Sequence, residues 1–223
     1  EKDILSALAD ALPKSFFFVQ NAPRSFTNWL PLFWKGFRQT TRYTYVLEDL
    51  SNISEIEAGF LDKTRNEIRK AEKSLTVEES DDIPLLYRLV GGTFQRQKSR
   101  VPYDLGLLER IDAACAAHSA RRMLVARDSE GRAHAAVYII RDETTAYYLI
   151  GGGDPNLRSS SATSLLIREA IRRSAGEVRE FDFEGSMMES VERFFRSFGA
   201  IQKPYFNLSR AGKLARVLKE LKG

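Results

Sequence analysis

The chain is poor in the residues that build metal and redox centres. Its 223 residues include one cysteine, Cys115, and two histidines, His118 and His134. A single cysteine forms no internal disulfide, so the core must hold the fold, and a reducing, cytoplasmic setting is expected. Cys115 sits in the helix-like stretch IDAACAAHSA, where it reads as a small apolar residue. Three Cys and His residues are too few for ordinary zinc ligation, so no metal is expected. No apolar run approaches the roughly 20 residues of a membrane-spanning helix. The densest stretch, FTNWLPLFWKGF (26–37), is interrupted by Asn28, Pro31 and Lys35, so no transmembrane segment is expected. No signal-peptide pattern opens the chain, and it carries neither a solenoid-period repeat nor a low-complexity tract. It begins at Glu1 rather than Met, which fits a processed or trimmed piece.

Hydrophobic residues make up 43% and charged residues 29%, a globular composition. The net charge of +4 suits an anionic ligand without naming one. From residue 74 onward the periodicity is clear. SLTVEE (74–79) alternates as a strand, and DDIPLLYRLVGGTFQRQ (81–97) reads as a helix capped by Asp81 or Asp82. YDLGLLERIDAACAAHSA (103–120) is a second helix. Three strands follow, 122–127, 133–141 and 145–152, joined by the short polar turns DSEGR and RDET, which implies an antiparallel meander. SSSATSLLIREAIRRSAG (159–176) is a helix with an apolar stripe, and Gly176 suits its stop. EFDFEG (180–185) alternates as a strand. Ser186 and Glu189 form an S-x-x-E capping box for the helix after it, and PYFNLSR (204–210) closes as a strand. The order β-α-α-β-β-β-α-β-α-β predicts an α/β fold with a mixed sheet covered by helices. Upstream, a helix at 1–12, a strand SFFFVQ, a helical stretch 26–39 and a strand 42–50 partly echo that pattern. A charged helical stretch, 54–73, joins the two.

Two stretches invite chemistry. In YYLIGGGDPNLRSSSATSLL a strand runs into Gly151, Gly152 and Gly153, then Asn156, Arg158, Ser159, Ser160 and Ser161 at a helix start. Glycines admit close backbone approach, and helix-start N–H groups attract phosphate. A plain glycine turn with serine capping explains the same letters. In EFDFEG, Phe181 and Phe183 face one side of the strand and Asp182 and Glu184 the other, near a strand end where sheet proteins bind ligands. Paired structural carboxylates are the alternative. KTRNEIRKAEK (63–73) and AGKLARVLKELKG (211–223) are basic helices that could meet tRNA phosphates or an anionic membrane. Interspersed acids, which support i,i+4 pairs, favour a solvated helix face over either. Trp29, Phe33 and Trp34 read as packing residues.

The order of elements, with RYTYVLEDL, KTRNEIRKAEK, TFQRQKSRVPY, YYLIGGGDP and FDFEGS…VERFFRSFGA in sequence, resembles the FemAB-like, BioF2-like branch of the GCN5-related N-acetyltransferases (GNAT). The resemblance implies a GNAT-like acyl-CoA N-acyltransferase fold with one complete lobe and a partial second one. The implied division is a partial lobe at 1–50, a helical connector at 51–73, a complete lobe at 74–210 and a basic helix at 211–223.

It also implies acyl transfer to an amine of a small or cell-envelope acceptor, from acyl-CoA (acetyl-CoA) or from aminoacyl-tRNA as in peptidoglycan-bridge enzymes. A catalytically silent binding module is the alternative of another class. The resemblance sets the donor phosphates at residues 151–163. The family's Q/R-x-x-G-x-G/A pattern is met here with Ser161 and Thr163 in the glycine places, which weakens the expectation of CoA. Glu184 and then Asp182 are the candidates to take the amine proton, since an alkylammonium titrates near ~10 and must lose it to attack. Phe195 stands where many CoA-dependent relatives have the tyrosine that protonates a thiolate, and phenyl donates no proton. Tyr205 or Tyr148 is then the candidate donor, or the leaving group is no thiolate. Arg96, Gln97, Lys98 and Tyr103 fall in the link that lines the acceptor side in this superfamily, with a solvated loop as the alternative.

Overall fold

The computed structural model describes residues 2–12, 17–96, 98–157, 160–185 and 187–211. The chain contacts divide it into two compact units, residues 45–201 and residues 1–44 with 202–223. This division differs from the expected lobes, because strands near both chain ends pair with each other rather than with the meander. The basic helix expected at 211–223 lies outside the described residues apart from Ala211.

In the larger unit the chain runs α3 (Ile53–Ala58), α4 (Asp62–Glu72), β3 (Thr76–Glu79), α5 (Ile83–Arg96), α6 (Leu105–Ala117), β4 (Arg121–Arg127), β5 (Ala133–Arg141), β6 (Thr145–Gly153), α7 (Ala162–Ser174), β7 (Glu180–Asp182) and α8 (Glu189–Arg196). Strands β3 to β6 form the antiparallel meander that the short polar turns predict. β6 then pairs in parallel with β7 across the α7 crossover. The last residues of β2 (Arg38–Leu47) add an antiparallel neighbour to β7, with Val46 opposite Asp182.

Alternation along β5 sends side chains into two cores. Ala135, Val137 and Ile139 join Leu166, Ile167 and Ile171 of α7 and the aromatics Phe181, Phe183, Phe195 and Phe198. Ala136 and Tyr138 join Leu86, Leu89 and Val90 of α5. The sheet of this unit therefore has helices on both faces, as the mixed α/β order requires.

Several local expectations change. The stretch 54–73 is two helices, because α3 ends at Gly59 and Leu61 is extended, while Phe60 turns inward against Phe198 with ring centroids 5.2 Å apart. The strand expected at 180–185 stops at Asp182, since Glu184 and Gly185 take left-handed φ values of 59° and 67°. Asp82 caps α5, its Oδ1 accepting the Leu85 N–H at 2.9 Å. Ser186 lies outside the described residues, and α8 follows Met188, which makes no side-chain cap bond.

The smaller unit holds α1 (Lys2–Ala11), β1 (Phe17–Asn21), α2 (Leu30–Trp34), the first part of β2 and β8 (Ile201–Ala211). β1 pairs antiparallel with β8, and β8 in turn neighbours β2. The helical stretch expected over 26–39 shrinks to α2, with Pro31 in its first turn and Gly36 at φ 79° beyond its end. Arg210 stacks its guanidinium 4.5 Å from the Phe37 ring centroid.

Candidate functional site

The site arises where two parallel strands part. β6 and β7 pair only from Thr145–Glu180 to Tyr147–Asp182. Beyond Tyr147, β6 continues six residues to Gly153 while β7 has ended. At the same place β6 carries a bulge: Ile139 faces Tyr148 and Tyr138 faces Ile150, so Leu149 is an extra residue in the ladder. A bulge bends its strand and breaks local pairing. The gap is a cleft of about 690 Å³, lined by Gly151 to Asp154, Ser160 to Ser164, Tyr148, and Val191, Phe194 and Phe195 of α8.

Its apolar end is aromatic. The Tyr148 and Phe195 rings meet edge to face at 5.8 Å, and Phe195 stacks on Phe183 at 5.1 Å. Burial pushes the Tyr148 hydroxyl well above its ordinary pKa. The glycines have packing reasons of their own. A Cβ on Gly151 would lie 2.1 Å from the Tyr148 hydroxyl, and one on Gly152 would lie 2.4 Å from the Leu89 and Val90 backbone of α5. Gly153 is freer, with His134 O at 3.3 Å from its built Cβ. Ser161 opens α7 in the left-handed region, φ 57°, without a side-chain cap bond.

Apart from Arg96, the polar end was not among the expected residues. Thr93 and Arg96 of α5, Glu67 of α4 and His134 of β5 also line the cleft. Thr93 Oγ1 accepts the Gly153 N–H at 3.4 Å, and Ser164 donates to Glu67 Oε2 at 3.3 Å. His134 is 9% exposed, and its Nε2 is 2.9 Å from Asp128 Oδ2. Asp128 also accepts from the Glu130 and Arg132 backbone N–H groups and from the Arg132 guanidinium. The His134 bond first, then those to Arg132, hold its carboxyl well below the usual carboxylate range. The D-S-E-G-R-x-H turn was the available signal: it folds an acid back beside one of only two histidines.

The family profile of the acetyltransferase (GNAT) domain matches residues 60–196, more than half of the chain. The chain belongs to the GNAT family. It is an N-acyltransferase by that membership. No curated protein matches the sequence. Among solved structures, a crystal structure of FemX superposes at a TM-score of 0.73 and 14% identity, over 99% of this chain and 79% of that one. The C-terminal domain of a protein designated lysylphosphatidylglycerol synthetase, from Agrobacterium fabrum, gives 0.62 at 16% identity, over 98% and 74%. L-PGS from Bacillus licheniformis gives 0.54 at 10% identity, over 86% and 68%. At these identities the likeness is one of fold, and that fold is FemAB-like.

Within this GNAT fold the expected residues fall into four groups. Gly151, Gly152, Gly153, Ser160, Ser161, Tyr148 and Arg96 come together around the cleft. Asp182 is the β7 residue opposite Tyr147, the last pair before the split. It is 4% exposed, and its Oδ1 accepts the Glu184 N–H at 2.8 Å. Glu184 is exposed on the turn beyond it. Asn156, Lys98 and Tyr103 are not among the residues that line the cleft. Asn156 is exposed, its N–H bonded to Asp154 Oδ1 at 2.8 Å. Lys98 is exposed at φ 54°. Tyr103 lines a separate shallow pocket with Tyr87 and Pro102. Tyr205 stands on β8, in the smaller unit. Gln97, Arg158 and Ser159 lie outside the described residues. Among the described residues no group of three or more His, Cys, Asp and Glu side chains is arranged for a metal, and no helix is long and apolar enough to cross a membrane.

Proposed function

We propose that the cleft holds an activated acyl donor and that the enzyme transfers an aminoacyl group from aminoacyl-tRNA to an amine of a cell-envelope acceptor. The observation that carries this reading is the parting of β6 from β7 after Tyr147, beside a bulge at Leu149. A ladder interrupted there frees backbone N–H groups to polarise a carbonyl lying along β6. The nucleotide end of the donor then rests against residues 151–163. The acceptor amine attacks the carbonyl directly. The new C–N bond forms as the ester C–O bond to the ribose breaks. The amine proton leaves to a base, and the ribose oxygen takes up a proton as the leaving alcohol.

Asp182 is the carboxylate nearest the split in the ladder, and we assign it the amine proton, with Glu184 second. It is 4% exposed at the last β6–β7 pair, and a carboxylate positioned there can take a proton directly. Two features favour an ester over a thioester donor. Phe195 faces the cleft and cannot protonate a thiolate. Glu67 faces the α7 end of the cleft, where a free pyrophosphate would meet its negative charge. The lysylphosphatidylglycerol synthetase named above carries an aminoacyl group in its name, which fits the same class of donor.

An acyl-CoA donor is the second reading, favoured by the run of N–H groups where α7 begins at Ala162. Single-turnover assays with charged tRNA and with acetyl-CoA separate the two. Asp182→Asn is expected to lower turnover about 100-fold or more, the span of one general base. Full turnover by both Asp182→Asn and Glu184→Gln would remove the carboxylates from the mechanism. Binding of neither donor would sink the cleft reading itself.

A further inference from the structure

Two residues of the cleft wall carry buried polar atoms that no described residue bonds. His134 Nδ1 and Ser160 Oγ are each shielded from solvent and have no hydrogen-bond partner among the described residues. Both residues line the cleft, one from β5 and one just ahead of α7. An unpaired buried polar group costs stability, so two of them on residues that line one cavity mark places for ligand atoms.

The chemistry of each atom follows from its surroundings. Asp128 is held ionised and only accepts, so the His134 nitrogen 2.9 Å away, Nε2, must carry the hydrogen. In the neutral ring this leaves Nδ1 as a bare acceptor, with the ring held by the Asp128 bond. The Asp128 carboxylate is itself anchored by the Arg132 guanidinium, with Nη2 to Oδ2 at 2.7 Å. A positioned histidine acceptor at a cavity wall recognises a group that donates. Ser160 can donate its O–H or accept.

We infer that His134 Nδ1 and Ser160 Oγ form a two-point anchor for an uncharged O–H or N–H group of the nucleotide-linked donor, with Asp128 as the positioning residue that fixes the His134 tautomer. The inference rests on the cleft being the donor site. The group could be a ribose hydroxyl of a tRNA 3′ end or an amide N–H of the CoA pantetheine arm.

The test uses the intact chain with two probes: 3′-alanylamido-3′-deoxyadenosine, a stable mimic of a charged tRNA end, and coenzyme A. The imidazole nitrogens are followed by long-range ¹⁵N–¹H correlation, and the Gly151 and Ser161 amides report whether a probe enters the cleft. The probe that binds is expected to move the Nδ1 resonance as a lone pair becomes hydrogen-bonded, with Nε2 still protonated. His134→Phe should weaken that probe about tenfold and Ser160→Ala a few-fold, each losing one hydrogen bond. Asp128→Asn should shift the tautomer balance and weaken binding, a spectral change that a merely structural role for Asp128 would not produce. Amide shifts without movement of Nδ1, or an Nδ1 that carries a proton in the complex, overturn the anchor and leave the donor cleft standing. Binding of neither probe overturns both. Because the tautomer is read on the unaltered protein, the outcome stands even where His134→Phe fails to fold.

Discussion

Gly152 offers the most direct measure of how the cleft is built. An alanine there would place its Cβ 2.4 Å from the carbonyl carbon and oxygen of Leu89 and from the Val90 nitrogen. Carbon atoms rest at about 3.5–4.0 Å, so α5 would have to retreat by about 1 Å. The obstacle is helix backbone, which has no rotamer to escape into, and the helix is pinned by Leu86 and Val90 at 0% and 1% exposure. Overpacking by one methyl costs about 1–3 kcal/mol, and this case belongs at the upper end. For a chain of this size about 3 kcal/mol lowers the melting midpoint by roughly 6–12 °C. Gly153→Ala, whose nearest neighbour is His134 O at 3.3 Å, should cost less than about 1 kcal/mol. Gly151→Ala collides with the Tyr148 hydroxyl at 2.1 Å, so Tyr148→Phe should partly rescue it, with a coupling of about 1 kcal/mol. Differential scanning calorimetry on the three glycine variants and the double variant measures the series. A Gly152→Ala midpoint equal to that of Gly153→Ala would refute the close approach of α5 to β6.

Three further outcomes are expected. Glu184→Gly should stabilise the protein by about 1 kcal/mol or less, because a left-handed φ of 59° strains a residue with a Cβ; urea midpoints at constant slope check it. Phe195→Tyr adds a phenol to the aromatic end of the cleft beside Tyr148. It should leave aminoacyl transfer from tRNA within a few-fold of wild type, since an alcohol leaving group does not depend on that ring. A large gain in transfer from acetyl-CoA instead would favour the thioester reading. Burial and then the bond to Asp142 raise the Tyr147 phenol to about 12, above its unfolded value near 10. The unfolded chain therefore releases this proton first, and stability present below pH ~10 is lost as pH rises toward ~12. Tyr147→Phe should make that alkaline decline shallower in pH-dependent thermal unfolding, while Tyr138 and Tyr148, also held high by burial, keep part of it.

The elements were legible in the sequence because each is specified locally. Alternation marked β3, the stripe Leu166, Ile167, Ile171 marked α7, and short polar turns bounded β4 to β6 and made the meander antiparallel. Their order was enough to suggest the family. Breaks that depend on single backbone conformations were harder to read. The turn at Glu184–Gly185 shortens a strand whose alternation continues to Glu184, and the inward Phe60 divides a run of helix-forming residues in two.

The site depended on distances between residues far apart in the chain. Nothing in YYLIGGG says which glycine faces a helix backbone, which yields to a tyrosine and which borders open space. Those answers come from α5 and from Tyr148 itself. Likewise the pairing of β6 with β7 over three residues and no more is a property of two strands and the crossover between them. His134 was set aside for want of metal partners, and gained a role only when the β4–β5 turn laid Asp128 against it at the cleft wall. Periodicity and turn chemistry act over a few residues, so the sequence alone decided the elements. A cavity and its orphaned polar atoms are made by surfaces that meet only after folding, so tertiary structure decided the site.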